Sequence, residues 1–396
     1  MVRHYVKNIR RQPWSIGGNE MKLDGVRVID LSMFLPGPVM TQIMADHGAQ
    51  VIRVEPPTGE PARAFGPFDP DGESIWFRNV HRGKSSIALN LKDPADRQVL
   101  LDLVGEADVF IEGFRPGVAK SLGIDAETLR ALNKRLIYCS LSAFGQSGPL
   151  SPKGSHDMGA QAYTGFLAIN DNGDGRPVVP GMPSADMAAA LTGLSAVLMA
   201  LYRRETTGLG DTVDANMYDA LMAWTAHLSG PVFASRNPPT TKTHRSIGGS
   251  AFYNLYETQD GRFIALTGRE MRFATALLTA LERPDLITLA SEEPGPKQQE
   301  LLAALRTIFQ SRDFATWCDF LKGVDVSWAP VLDMAEAFDH PQATAREMLI
   351  RLEDGREIPG TPLKFADEPG QPELVAPKLD ENGPDIRAKG WAGARD

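Results

Sequence analysis

The alternation that opens the chain constrains its fold more than any other feature. Residues 26–31 read as a strand, Pro36-Gly37-Pro38 as a turn, residues 39–47 as a helix and residues 50–55 as a second strand, making one βαβ unit. Further strands are expected at 86–89, 109–112 and 136–141, with helices at 95–105 and 126–132 between them. This pattern predicts an α/β fold: a doubly wound, mostly parallel, Rossmann-like sheet covered on both faces.

Two strongly apolar helices follow at 187–202 and 217–228, separated by the turn-forming Thr207-Gly208-Leu209-Gly210-Asp211. The first is broken by Thr192 and Ser195 and stops at Arg203-Arg204, so it is expected as a buried helix and not as a membrane span. Strands at 251–256 and 261–266, helices at 272–281 and 301–309 and a polar linker at 291–299 predict a smaller α+β domain over 229–327. The stretch 328–396, with its Pro-rich tail from Pro359, is expected to return to the large domain, 22–228. Residues 1–21 read as an N-terminal extension, lacking the apolar core and A-x-A site of a secretory signal.

Forty-one basic against 50 acidic residues leave a formal charge of −9, which argues against nucleic acid or an anionic membrane as partner. Any anionic ligand must be met by a local cluster of cations. The two cysteines, Cys139 and Cys318, form no C-x-x-C pair, so neither a disulfide framework nor a zinc-cysteine site is expected, and a reducing cytoplasm fits best. Nor do the histidines show metal-ligand spacing, so no metal is expected.

Glu55, ending the second strand, invites a dinucleotide-binding reading, but the glycine fingerprint is missing. Leu35-Pro36-Gly37-Pro38 stands where backbone N–H groups would cradle a pyrophosphate, and two prolines remove two donors, so no nicotinamide cofactor is expected. Gly83-Lys84-Ser85 lacks the first glycine of a phosphate loop, Arg78 standing in its place. There is no G-x-S-x-G elbow and no H-E-x-x-H pair.

What remains is an ordered set of segments. Leu23-Asp-Gly-Val-Arg-Val-Ile-Asp-Leu31, Pro36-Gly37-Pro38, Gly48 to Pro57, His81-Arg82-Gly83-Lys84-Ser85-Ser86-Ile87, Ala107-Asp108-Val109 with Glu112 and Phe114, Ser184-Ala185-Asp186-Met187, and Ala200 to Asp214 occur in this order. Together they resemble the class III CoA-transferase (CaiB/BaiF) family. The resemblance implies acyl-CoA as substrate, making 22–228 a CoA-binding domain, and an interlaced homodimer.

Carried over position by position, the resemblance places Phe34, Leu35 and Pro36, then Leu89, Lys92, Phe114 and Met217, on CoA. A phosphate-contacting arginine of the family falls at Ser121, next to Lys120, which takes its place as a candidate. Arg53, Arg82, Lys84 and Lys92 are expected to cluster near the carboxyl ends of the early strands, where open α/β sheets bind ligands; the alternative is that they are solvated surface cations.

Asp186 stands immediately before the small-residue helix, where an aspartate ordinarily serves as an N-cap. The helix N-terminus is expected to lower its pKa and keep it ionised, as a nucleophile requires. In transferases of the family the aspartate at this motif attacks the acyl-CoA carbonyl and forms an aspartyl acyl anhydride. Carrying acyl groups on a carboxylate makes exchange between carboxylic acids nearly isoenergetic.

His156-Asp157 and Glu270 look instead like the α-methylacyl-CoA racemase branch, in which a histidine and the motif aspartate remove and return an α-proton. His156 has the alternative of a hydrogen-bonded structural histidine. Gly248-Gly249-Ser250 is a candidate flap that keeps water from the reacting group, or a plain turn. Three readings follow: a cytoplasmic CoA-transferase moving CoA from an acyl-CoA to a small carboxylic acid, a racemase or epimerase, and a non-catalytic acyl-CoA-binding protein.

Overall fold

The structure, a computed structural model, describes residues 21–395, so all of the expected extension but its last residue lies outside the described residues. Six parallel strands form the main sheet: β1 Arg27–Leu31, β2 Gln50–Glu55, β3 Ser85–Ala88, β4 Val109–Glu112, β5 Ile137–Ser142 and β6 Thr212–Asn216, in the order β3-β2-β1-β4-β5-β6. The order reverses between β1 and β4, which is the doubly wound arrangement. β6 is the one strand that the pattern of the sequence does not announce. Thr212, Asp214 and Asn216 make it polar, and it sits at the sheet edge, where only Ala215 and Asn216 are buried.

Period-two alternation divides the strands between two faces. On one face Ile29, Leu31, Ile52, Val54, Ile87 and Phe110 form a continuous core with Leu100, Leu103 and Val104 of the helix Pro94–Glu106, Leu129 of the helix Ala126–Leu132, and Ile386 and Trp391 near the C-terminus. The other face carries Asp30 and Arg53 and is covered by helix α1, Pro36–Ala45, whose Thr41 hydroxyl donates to Asp30 at 2.6 Å. Gly193 lies on this face too, where an added Cβ would come within 3.2 Å of Ala215 and 3.4 Å of Met40.

The chain groups into two compact units that do not follow the linear division at 228 and 328. Among the described residues one comprises 21–153, 189–216 and 345–395; the other comprises 154–188 and 217–344. Residues 154–188 and 217–228, expected in the large domain, belong to the second unit. Trp328–Pro330, expected to return to the first, is a strand (β9) of the second unit's antiparallel sheet, with β7 Tyr253–Glu257 and β8 Phe263–Thr267 in the order β7-β8-β9. Helices Met271–Ala280, Gln299–Phe309 and Phe314–Leu321 close this sheet over a core that includes Tyr256, Ile264, Leu277, Phe309 and Trp317.

The apolar run predicted at 187–202 is a longer helix, Ser184–Thr207. It is not the uniformly buried helix its composition suggests. Ala188, Ala189, Ala190 and Val197 are buried, whereas Leu191, Leu198, Met199 and Tyr202 stand exposed, the last at 82%.

Candidate active site

The loop after β1 is shaped by buried acids. Asp30 accepts from the Ser32 N–H at 2.9 Å and from the Ser32 hydroxyl. An added Cβ on Gly37 would sit 2.0 Å from that hydroxyl, which explains the glycine between two prolines. Phe34 adopts a left-handed φ of 66°, and its N–H donates to Glu60 Oε1 at 2.7 Å. Phe34 and Leu35 are partly exposed and Pro36 opens α1 as a buried residue. Beyond β4 the Phe114 N–H donates to Glu112 Oε2 at 2.7 Å. Phe34, Leu35, Pro36 and Phe114 therefore gather at the carboxyl ends of β1 and β4, the point where the strand order reverses and open α/β sheets hold ligands.

Arg53 and Lys84 are corrected by the structure: neither is at the surface, and neither is free for a phosphate. Arg53 lies between Ile52 and Val54 on the α1 face, 1% exposed, with Nη1 3.3 Å from Asp30 and Nη2 2.5 Å from Glu60. Lys84 precedes β3, so it stands before that strand's amino end. Its Nζ donates to Asp30 at 3.2 Å and to the Pro38 carbonyl at 3.0 Å, with His81 Nδ1 at 3.1 Å. Burial, helped by Arg53 and opposed by Asp30, lowers Lys84 to about 8. Although burial by itself would raise Asp30, Lys84 and Arg53 hold it well below the usual carboxylate range. Arg82 is likewise internal, paired with Asp46 at 2.6 Å. Buried cations of this kind must be paired, since an unpaired charge inside a protein costs several kcal/mol.

Glu55 is also consumed within the protein. Its carboxylate accepts from Arg63 at 2.7 Å, from the Ser86 hydroxyl at 2.9 Å and from the Glu60 N–H at 3.0 Å, so it is not offered to a ribose. Of the remaining candidates, Leu89 is buried, while Lys92 and Lys120 are exposed cations able to meet phosphate.

In the second unit Asp186 lies in the first turn of Ser184–Thr207 but is not its cap. That role belongs to Asp157, whose Oδ1 accepts from the Ala185 N–H at 2.7 Å and from the Asp186 N–H at 3.2 Å. Asp157 opens the helix Asp157–Tyr163, with exposed His156 at its N-cap position, and its Oδ2 accepts from Gln161 Nε2 at 2.5 Å. The expectation of a lowered pKa for Asp186 is overturned: burial, reinforced by the Asp157 carboxylate, raises it to about 7. Desolvation and a neighbouring like charge outweigh the helix terminus here.

Gln161 was not singled out in the sequence. It is fully buried, with Oε1 lacking a partner, and only its position one turn after Asp157 could have marked it. Met217 begins the helix Met217–Trp224, which packs against Asp157–Tyr163. Glu270 is exposed at the N-cap position of Met271–Ala280 and makes no capping bond.

The glycine pair is tied down on both sides. The Gly249 N–H donates to the His244 carbonyl at 3.0 Å, its carbonyl accepts from Gly295 at 2.8 Å, and an added Cβ would lie 2.5 Å from the Thr243 backbone. Gly248, at φ 107°, lines a cavity of about 1130 Å³ with Asp171, Tyr253, Asn254, Thr267 and Arg306, among others; neither Asp157 nor Asp186 is part of that lining.

Comparison with known proteins identifies the family. The family model described as CoA-transferase family III matches residues 23–383. An acetyl-CoA:oxalate CoA-transferase of Acetobacter aceti is 37% identical, covering 92% of this chain and 94% of its own. Human α-methylacyl-CoA racemase is 32% identical, with 84% of each chain covered. The crystal structure of a CaiB/BaiF family protein from Brucella suis superposes with a TM-score of 0.82 at 30% identity, covering 93% of this chain and 99% of that one. Sequence, fold and relatives converge: the chain belongs to CoA-transferase family III.

Proposed function

We propose that the protein is a CoA-transferase that moves CoA from an acyl-CoA to a small carboxylic acid, with Asp186 as the covalent carrier. The observation that carries this reading is the half-buried carboxyl of Asp186, fixed at a helix start and raised to about 7 by desolvation and the Asp157 charge. A partly desolvated carboxylate is a stronger nucleophile than a fully solvated one, and it stays ionised in a useful fraction at neutral pH.

The reaction balances without an added cofactor. The Asp186 carboxylate attacks the thioester carbonyl, expelling CoA thiolate and leaving an aspartyl acyl anhydride. The thiolate attacks the aspartyl carbonyl and releases the first acid. The acceptor carboxylate then displaces the thiolate, forming a second anhydride. Attack of the thiolate on the new acyl carbonyl yields the product thioester and restores Asp186.

Several relatives support this choice, since they carry transferase names, among them the acetyl-CoA:oxalate and the human succinyl-CoA:glutarate enzymes. Replacing Asp186 by Asn keeps the side chain's shape and removes the nucleophile. Turnover should fall by several orders of magnitude, and near-normal turnover would refute the role of Asp186.

A racemase is the second reading, favoured by His156 beside Asp157 and by the Asp186 pKa of about 7, which also suits proton transfer. In either case we propose a homodimer, supported by the exposed apolar side chains Leu191, Leu198, Met199 and Tyr202 along one helix.

A further inference from the structure

We propose that Glu60 is a positioning residue for the acyl-CoA substrate: its buried carboxylate holds the Phe34 backbone in a left-handed conformation and so sets the loop that receives the ligand. The inference rests on the reading that acyl-CoA binds at the reversal of strand order.

Phe34 is a bulky residue in a region of backbone space that L side chains rarely enter, and such conformations persist only where the surroundings impose them. Here the imposing group is identifiable. The two oxygens of Glu60 divide their duties: Oε1 accepts from the Phe34 N–H at 2.7 Å, while Oε2 accepts from Arg53 at 2.5 Å and lies 3.2 Å from His81 Nε2. A residue serving only to neutralise Arg53 has no need to engage the loop.

The segment that supplies Glu60 also supports the Phe34 side chain. Glu60 precedes the short turn Pro61–Ala64, and Phe65 follows it with its ring stacked on that of Phe34 at 6.2 Å. Backbone and ring of Phe34 are thus fixed by one stretch of chain. Arg53 is anchored through Asp30 to Lys84, so the buried cations act on the loop at one remove. Across the reversal, Glu112 treats the Phe114 N–H in the same way.

The test is a double-mutant cycle in the full chain, read by calorimetric titration with free CoA and by KM and kcat in turnover. In Glu60→Gln the one remaining oxygen is claimed by Arg53, and the Phe34 N–H loses its acceptor. CoA affinity should fall about tenfold, with KM rising and kcat preserved. In a Phe34→Gly background, where a left-handed φ needs no support, adding Glu60→Gln should cost less than about twofold more.

Equal losses in both backgrounds, or unchanged CoA affinity in Glu60→Gln, would overturn the inference. Should Glu60→Gln fail to fold, hydrogen exchange on the wild type decides: the Phe34 amide should exchange slowly without ligand, and exchange at the rate of an open loop contradicts the assignment. A wild type that does not bind CoA overturns the reading beneath it as well, whereas binding with additive losses overturns this inference alone.

Discussion

The Asp157 carboxylate caps the helix that carries Asp186, accepting from the Ala185 and Asp186 N–H groups at 2.7 and 3.2 Å. One acid therefore holds the other by its backbone while its charge opposes ionisation of the neighbouring side chain. The arrangement fixes the Asp186 carboxyl in place and makes it more basic at once, the kind of local cost that concentrates at functional sites.

The first prediction concerns stability. Burial and the Asp157 charge raise Asp186 from an ordinary aspartate's 3.8 to about 7, so the folded state binds the extra proton between those values and stability falls as pH rises through that window. Asp186→Asn removes the titrating group. Its melting temperature should exceed that of the wild type at pH 8, and the gain should fade toward pH 4. A variant less stable at pH 8 contradicts the buried-charge account.

A second prediction separates the two roles of Asp157. Asp157→Asn keeps an oxygen for the helix N–H groups, and its new amide can donate to the orphaned Gln161 Oε1 after that side chain turns. The fold should hold, while the acid limb of the kcat/KM profile shifts to lower pH because the like charge is gone. Asp157→Ala removes the cap as well and should cost about 0.5–2 kcal/mol of stability. Chemical denaturation with a pH profile on each variant measures both effects.

A third prediction contrasts internal and external cations. Arg53→Met leaves Glu60 without its cation and Asp30 with Lys84 alone, and should destabilise the protein by about 3–5 kcal/mol. Lys92→Ala and Lys120→Ala, both exposed, should change stability by no more than about 0.5 kcal/mol. They should instead weaken CoA binding and flatten its salt dependence, as phosphate contacts require. Unaltered CoA affinity in both would remove them from the phosphate site.

The fourth prediction addresses assembly. Met199 and Tyr202 are 69% and 82% exposed on a helix whose opposite side is core. If a second copy covers them, Met199→Lys with Tyr202→Glu should dissociate the dimer or abolish its folding, as seen by light scattering. A wild type that is monomeric at micromolar concentration contradicts the dimer itself.

Much of this was legible in the residues. The βαβ opening, five of the six strands of the main sheet, the missing glycine fingerprint and the motif around Asp186 can all be read along the chain. The charged groups could not be placed so easily. Ile52-Arg53-Val54 alternates in a sheet that the sequence itself says is covered on both faces, so Arg53 had to be internal, yet its partners Asp30 and Glu60 come from separate segments. The direction of the Asp186 shift is not legible in the sequence for a related reason. A helix terminus is a local feature visible in sequence, whereas burial and the approach of Asp157 arise only on folding. The unit boundaries were hidden because the helix Ser184–Thr207 passes from one unit to the other without a break in its pattern.

The central claim is that Asp186 carries the acyl group, and isotope transfer tests it most directly. The purified enzyme is cycled with an acyl-CoA and an acceptor acid whose carboxylate is labelled with ¹⁸O, then digested and analysed by mass spectrometry. Breakdown of the second anhydride leaves one acceptor oxygen on the aspartate, so the peptide containing Asp186 should gain ¹⁸O, and Asp186→Asn should gain none. The same reaction in D₂O without acceptor should leave the α-carbon of the acyl-CoA undeuterated. Deuterium entering that position with no acceptor present, and no ¹⁸O on the Asp186 peptide, would contradict the transferase account and put the racemase in its place.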